Sequence, residues 1–456
     1  MGDSGSWACW KSLDASVLLI VHYRNIEDLF ARLEASCPGE LAVVIPCEGD
    51  RKADIMGKTA TWVLTDVKSG VWTDALRITP ESAGLGGAGN WSIMKRTLHG
   101  GLCEGVDVIE VNNGALSFIL VPTRGMGLWK GRYEGCEIGW QSPVTGPVNP
   151  MFVNPEERGG LGWLKGFDES IVRCGLSSNG TPARDIVPDN NGNPVEVAIP
   201  LHGAIANLPA THVEATVEVR DGATWLEVSG VVEEGMLFCP CLTLKTRFTT
   251  CVGSNSVAIH DEVINRNAVE REMQLLYHCN FGEPFLEEGS RLVLPALESA
   301  PRDARAAETM DNHEVYLGPT PGYVEQAYYH RLAADRHGNT LTLLRNRAGD
   351  KGVAVRFNVR QLPCFTQWKN TVGRGDGYVT GLEPGTNFPN AKPFERGHGR
   401  VVTLKPGGCY QVDLAVEILA STSAVADAVQ QIGVLRGVVE SRIYPQPMPL
   451  WSPAAG

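Results

Sequence analysis

The stretch HVEATVEVRDGATWLEVSGVV, residues 212–232, decides the fold. His212, Glu214, Thr216 and Glu218 alternate with small or apolar residues, the chain breaks at Asp221-Gly222, and Trp225, Glu227, Ser229 and Val231 resume the period of two. That alternation marks strands with one face inward and one outward. The same reading extends to Val106-Val108-Glu110 and to Ala115-Ser117-Ile119-Val121, with Gly, Asn, Asp and Pro as breaks. Gly is abundant at 51 residues and marks turns and bulges, since no Gly/Ser run is long enough to be a linker. The expected fold is all-β, a large two-sheet β-sandwich, because two packed sheets bury this many half-apolar strands. No fixed-period repeat argues for a propeller or solenoid.

Three segments follow from this reading. Residues 1–57 form an N-terminal extension with a small strand-helix-strand pattern and no assigned activity, residues 58–420 the sandwich, and residues 421–456 a helix and tail. In the last segment Val425, Ala428, Val429 and Ile432 recur at helical spacing, and the Pro-rich end from Pro445 reads as a tail.

The chain has 456 residues, 43% hydrophobic and 20% charged, as in folded soluble proteins. Its net charge of -12 and lack of basic runs argue against nucleic acid as a partner and against an anionic membrane surface. The apolar run at Val17 to Val21 is far too short to span a bilayer. No signal peptide is read, and the 12 cysteines follow no framework spacing, so reduced thiols and a cytoplasmic location are expected. Cys239-Pro240-Cys241 lacks the gap and second ligand pair of a zinc knuckle, and no metal or cofactor is expected. Gly84 to Gly89 imitates a dinucleotide fingerprint but neither follows a strong strand nor opens a helix.

Three segments place ionisable groups among turn residues at strand ends: Leu201-His202-Gly203, Leu276-Tyr277-His278-Cys279-Asn280-Phe281, and Leu382-Glu383-Pro384-Gly385-Thr386-Asn387-Phe388-Pro389-Asn390-Ala391. The third resembles the stretch that holds the catalytic glutamate of galactose mutarotases. The second resembles their histidine stretch, and Val257 to Asn265 resembles the strand leading to it. Pro122-Thr123-Arg124-Gly125-Met126-Gly127 and Gly162-Trp163-Leu164-Lys165-Gly166-Phe167 are similar to an uncharacterised branch of the aldose 1-epimerase superfamily. The resemblance implies the galactose mutarotase-like supersandwich and a sugar-binding cleft.

It also implies an isomerase that interconverts anomers, with a small-molecule carbohydrate as partner. Opening a hemiacetal ring needs a base at the anomeric hydroxyl and an acid at the ring oxygen. The resemblance makes Glu383 the base, a protonated His278 the acid, and His202 a supporting group at the same oxygen. A neighbouring carboxylate is expected to favour charged imidazole. Arg124 and Arg173 are candidate donors to sugar hydroxyls or an acidic sugar, with structural salt bridges as the alternative. Trp163 and Lys165 are candidates in a Gly-rich loop, and Trp368 stands one hairpin before Glu383. Glu325 is the nearest counterpart of the mutarotases' binding aspartate, and Asn387 is expected to hold the Glu383 turn beside the substrate.

Two other classes stay open. One is a carbohydrate-binding protein without catalysis. The other is an isomerase or lyase on an oxidised sugar, with His202, His278 and Glu383 holding a divalent ion.

Overall fold

The computed structural model describes residues 58–85 and 89–455. The expected strand-helix-strand pattern in residues 1–57 lies outside the described residues. Among the described residues the chain forms a ten-stranded sheet and a 14-stranded sheet.

The opening stretch supplies two adjacent strands of the ten-stranded sheet, His212–Arg220 and Ala223–Gly235, paired antiparallel from His212 opposite Val231 to Arg220 opposite Ala223. Val213, Ala215, Val217, Leu226 and Val228 are buried in the core, where they meet Phe118, Leu120, Leu275 and Tyr277 of the other sheet. Apolar side chains projecting from one face of each sheet therefore make the sandwich, as period-two patterning requires.

The second sheet departs from simple alternation at its centre. Strands Ile171–Leu176, Arg271–Phe281, Cys364–Asn370 and Val379–Gly385 are neighbours there, and the first and last are buried at every position. Along Arg271–Phe281, Leu275, Tyr277 and Cys279 face the inter-sheet core. Leu276 belongs instead to an apolar cluster on the opposite face, with Trp140, Trp163, Phe167, Val172, Cys174 and Leu201. Loops carrying those aromatic residues roof the outer face, so both faces of these strands are covered. His278 falls on the roofed face by the pleat.

The helix at Thr422–Arg436 is capped by Ser421, whose hydroxyl accepts from the Ala424 amide at 3.2 Å. Val425, Ala428 and Ile432 pack on Leu341, Leu343 and Leu419, whereas Val429 is exposed. The Pro-rich end is not a loose tail. Trp451 is buried against Phe388, and its carbonyl accepts from Asn390 Nδ2 at 2.8 Å, which braces the loop that follows Glu383.

Candidate functional site

Glu383, His278 and His202 come together on the roofed face. Glu383 lies opposite Thr366 on the neighbouring strand, and the pairing of Cys279 with Leu382 brings His278 alongside it. His278 Nε2 stands 3.2 Å from Glu383 Oε1. Gly381 makes that approach possible, since a Cβ there would fall 2.5 Å from Glu383 Oε1 and 3.0 Å from His278 Cε1.

His202 reaches the same place from a loop. Its φ of 59° is unusual for a residue with a side chain, and such backbone clusters at functional sites. The next residue must be glycine, because a Cβ on Gly203 would strike the Ser178 carbonyl at 2.1 Å and that of Gly175 at 2.4 Å. His202 Nδ1 donates to the Asn179 carbonyl at 2.9 Å, so the neutral ring keeps a bare Nε2. The two imidazoles have centroids 5.5 Å apart, Trp163 lies edge-on to His202 at 4.6 Å, and Phe167 and Trp368 meet His278 at 5.1 and 5.3 Å.

This apolar enclosure sets the charge of the site. His278, His202 and Glu383 are 5%, 9% and 3% exposed. Burial pushes His278 down to about 3, helped by the nearby His202, against the pull of the hydrogen bond to Asn280. Burial takes His202 down to about 4. It raises Glu383 well above the ordinary carboxylate range, reinforced by the Glu325 charge and opposed by Arg302. The expectation of a protonated His278 beside an ionised Glu383 is therefore corrected: desolvation outweighs attraction, and burial favours a neutral imidazole beside a carboxylic acid.

Several other candidates sit at this site or next to it. Trp368 is half-buried, and its indole donates to Glu325 Oε2 at 2.7 Å, while Arg302 donates to Oε1 at 3.0 Å. Glu325 is thus held in a fixed orientation at the exposed edge of the site. Trp163 is fully buried, so it packs against His202 and leaves no open face for a sugar to stack on. Trp163 Nε1, Ser178 Oγ, Thr366 Oγ1 and Glu383 Oε1 itself are buried and make no hydrogen bond among the described residues.

Four substrate-binding expectations are corrected. Arg173 lies on the core side, opposite Tyr277, where it pairs with Asp261 and donates to Thr246 Oγ1 at 2.7 Å. Arg124 is fully buried, with Nε on Glu169 at 2.5 Å and Nη1 on Val148 O and Asn207 Oδ1. Lys165 is exposed, and its amine is bound to Glu157 at 3.1 Å. Asn387 is fully buried in a reciprocal amide pair with Asn179 at 2.8 and 3.0 Å. Its Oδ1 also accepts from Thr386 Oγ1 at 2.9 Å and its Nδ2 donates to the Phe388 carbonyl at 2.7 Å, so it holds the turn after Glu383 and steadies the carbonyl that orients His202, with no amide atom left for a sugar. Arg173 and Asn387 are fully engaged with partners the sequence does not announce, Arg124 keeps only a buried Nη2 without a partner, and Lys165 points to solvent.

Asn179 and Asn280 carry structural work that sequence reasoning did not assign; for Asn280 the available signal was its spacing of two from His278 on one strand. Among the described residues no three His, Cys, Asp or Glu side chains are grouped to hold a metal ion, and no described helix is long and apolar enough to cross a membrane.

Residues 103–418 match the model of a domain of unknown function, DUF4432. A solved structure from Klebsiella pneumoniae, of a protein named as a candidate aldose 1-epimerase, is 35% identical with a TM-score of 0.80, over 86% of this chain and 99% of that one. A galactose mutarotase-like protein from Clostridium acetobutylicum is 15% identical with a TM-score of 0.51, over 72% of this chain and 98% of its own, and is alike in fold. No curated protein matches the chain. The match over residues 103–418, together with the Klebsiella structure, places the chain in the DUF4432 family, on a galactose mutarotase-like sandwich.

Proposed function

We propose that the protein is a cofactor-independent aldose 1-epimerase-like isomerase that interconverts the anomers of a sugar or sugar derivative. The observation that carries this reading is the His278–Glu383 pair, 3.2 Å apart and buried under an aromatic roof. Mutarotation requires one group to take the anomeric hydroxyl proton while another protonates the ring oxygen, and reclosure reverses both transfers. Imidazole beside carboxylic acid, and imidazolium beside carboxylate, differ by one proton moved across that gap. The pair therefore holds one acid and one base in either form, and the protein's proton count is unchanged after each turnover.

In this mechanism His278 and Glu383 exchange protons with the anomeric hydroxyl and the ring oxygen. C1–O cleavage gives the open aldehyde, rotation about C1–C2 turns its face, and reclosure gives the other anomer. His202 accepts a hydrogen bond from a sugar hydroxyl at its bare Nε2. Trp368 flanks the ring, and Glu325 accepts from hydroxyls at the exposed edge. The unspent hydrogen-bonding capacity of Trp163, Ser178 and Thr366 suits a hydroxyl-rich ligand. The name of the Klebsiella relative supports the same reading.

Glu383→Gln tests this assignment, because the amide fills the same space but cannot give up or take the proton. Anomer exchange is expected to fall by about 1,000-fold, within the range for loss of a general acid or base, with sugar affinity by calorimetry nearly unchanged. An undiminished rate would remove Glu383 from the reaction.

A further inference from the structure

The pair works only if the lone pair of His278 points at Glu383, and the structure shows what decides that. His278 and Asn280 are two residues apart on strand Arg271–Phe281, so their side chains share the roofed face. Asn280 is fully buried. Its Nδ2 lies 3.0 Å from the Glu169 carbonyl oxygen and 2.9 Å from that of His278. Carbonyl oxygens only accept, so the NH2 end of the amide is fixed toward them and Oδ1 is left facing His278 Nδ1, at 2.5 Å. An acceptor at Nδ1 requires a proton there. The neutral ring is then the Nδ1–H tautomer, with its lone pair on Nε2, 3.2 Å from Glu383 Oε1, a buried oxygen with no hydrogen-bond partner among the described residues.

We infer that Asn280 is a positioning residue that locks the tautomer of His278 and thereby keeps the mobile proton of the pair between Nε2 and Glu383. The alternative tautomer, with Nε2–H donating to an ionised Glu383, satisfies both groups with one proton fewer. A pair in that state has no proton to move between its members. Asn280 opposes it, because moving the proton to Nε2 leaves Nδ1 and Asn280 Oδ1 as two acceptors in contact. The other groups facing the pair do not set the tautomer. His202 and Cys174 are uncharged neighbours, Glu325 and Arg302 act through space on Glu383, and Trp163, Phe167 and Trp368 are aromatic.

The inference rests on the proposed epimerase reading only for its kinetic consequence; the tautomer itself is read without any substrate. Long-range 1H–15N spectra of the histidine rings at neutral pH are expected to give His278 a protonated, pyrrole-type Nδ1 and a bare, pyridine-type Nε2. A protonated Nε2 with bare Nδ1 in the unmodified protein would overturn the inference directly. Asn280→Leu removes the acceptor and is expected to lose the Nδ1–H signature and to lower kcat about 100-fold with little change in KM. Asn280→Asp keeps an acceptor at Nδ1 but sets a carboxylate oxygen against the Glu169 and His278 carbonyls that Nδ2 served, so it is expected to recover part of the kcat lost in Asn280→Leu and, by its charge, to move the acid limb of the pH profile upward. Equal loss in both variants with an unmoved profile would show a structural role only and overturn the inference. If Asn280→Leu fails to fold, the unmodified spectrum and Asn280→Asp decide. If no sugar undergoes anomer exchange, the epimerase reading falls while the tautomer assignment stands or falls on its spectrum.

Discussion

Burial, more than pairing, decides where protons rest at this site. A carboxylate drawn next to an imidazole invites the assumption of an ion pair, yet both side chains are almost wholly removed from water, and the charge that opposes the rise in Glu383 is that of Arg302, which is shared with Asp303 and Glu325. Each group therefore gains by being neutral. Under the proposed mechanism the free protein is active with His278 unprotonated and Glu383 protonated. With His278 pushed down to about 3, kcat/KM is expected to hold level as pH is lowered through 6.5, the ordinary histidine value. With Glu383 raised, the profile is expected to fall on the alkaline side as that proton is lost. A half-maximal acid limb near 6.5 would show that His278 works from its charged form. Residue identities at the centre of the site were legible in sequence because Leu-His-Gly, Tyr-His and Leu-Glu-Pro-Gly-Thr-Asn-Phe-Pro carry them. Protonation was not, because it depends on how completely Trp163, Phe167 and Trp368 exclude water, and loop residues distant in sequence provide that exclusion.

Strand Val379–Gly385 shows how an element shapes chemistry through a residue that does none. Gly381 sits two positions before Glu383 on the same face and leaves the space into which the His278–Glu383 pair fits. Gly381→Ala places a methyl group 2.5 Å from Glu383 Oε1, which displaces the carboxyl by a sizeable fraction of an ångström or more. Misplacement of that size is expected to cost about 100-fold in rate while the protein remains folded. A rate within a factor of two of the parent, at unchanged stability, would show that the pair tolerates separation. Alternation along residues 212–232 identified two strands of the ten-stranded sheet, because those strands are wet on one face. It is a weaker guide to Arg271–Phe281, since a strand covered on both faces has no polar side to alternate with. The end of the chain misled for a related reason: Pro-rich composition suggests a tail, and nothing local reveals that Trp451 docks on Phe388.

The two sheets are joined by more than apolar packing. Arg173 projects from the site sheet into the core and pairs with Asp261, which also accepts from Tyr277 OH at 2.6 Å, while Thr246 on the ten-stranded sheet takes a further guanidinium bond. Asp261 lies 88 residues from Arg173 in the chain, a separation no local reading connects, which is why Arg173 looked available for a sugar. Asp261→Ala leaves a buried guanidinium without its counter-charge, and urea unfolding is expected to show a loss of about 3–5 kcal/mol. A loss under about 1 kcal/mol would mean that the pair is dispensable to sheet packing.

The proposed function is anomer interconversion by a proton shared within the His278–Glu383 pair. Exchange NMR at equilibrium, on a panel of aldoses and uronic acids with and without the protein, tests that claim most directly. α–β exchange cross-peaks above the buffer rate are expected for at least one sugar, with their loss in the Glu383→Gln variant. A sugar that binds at the site while its anomers exchange no faster than in buffer would contradict it and leave a binding protein on a mutarotase-like frame.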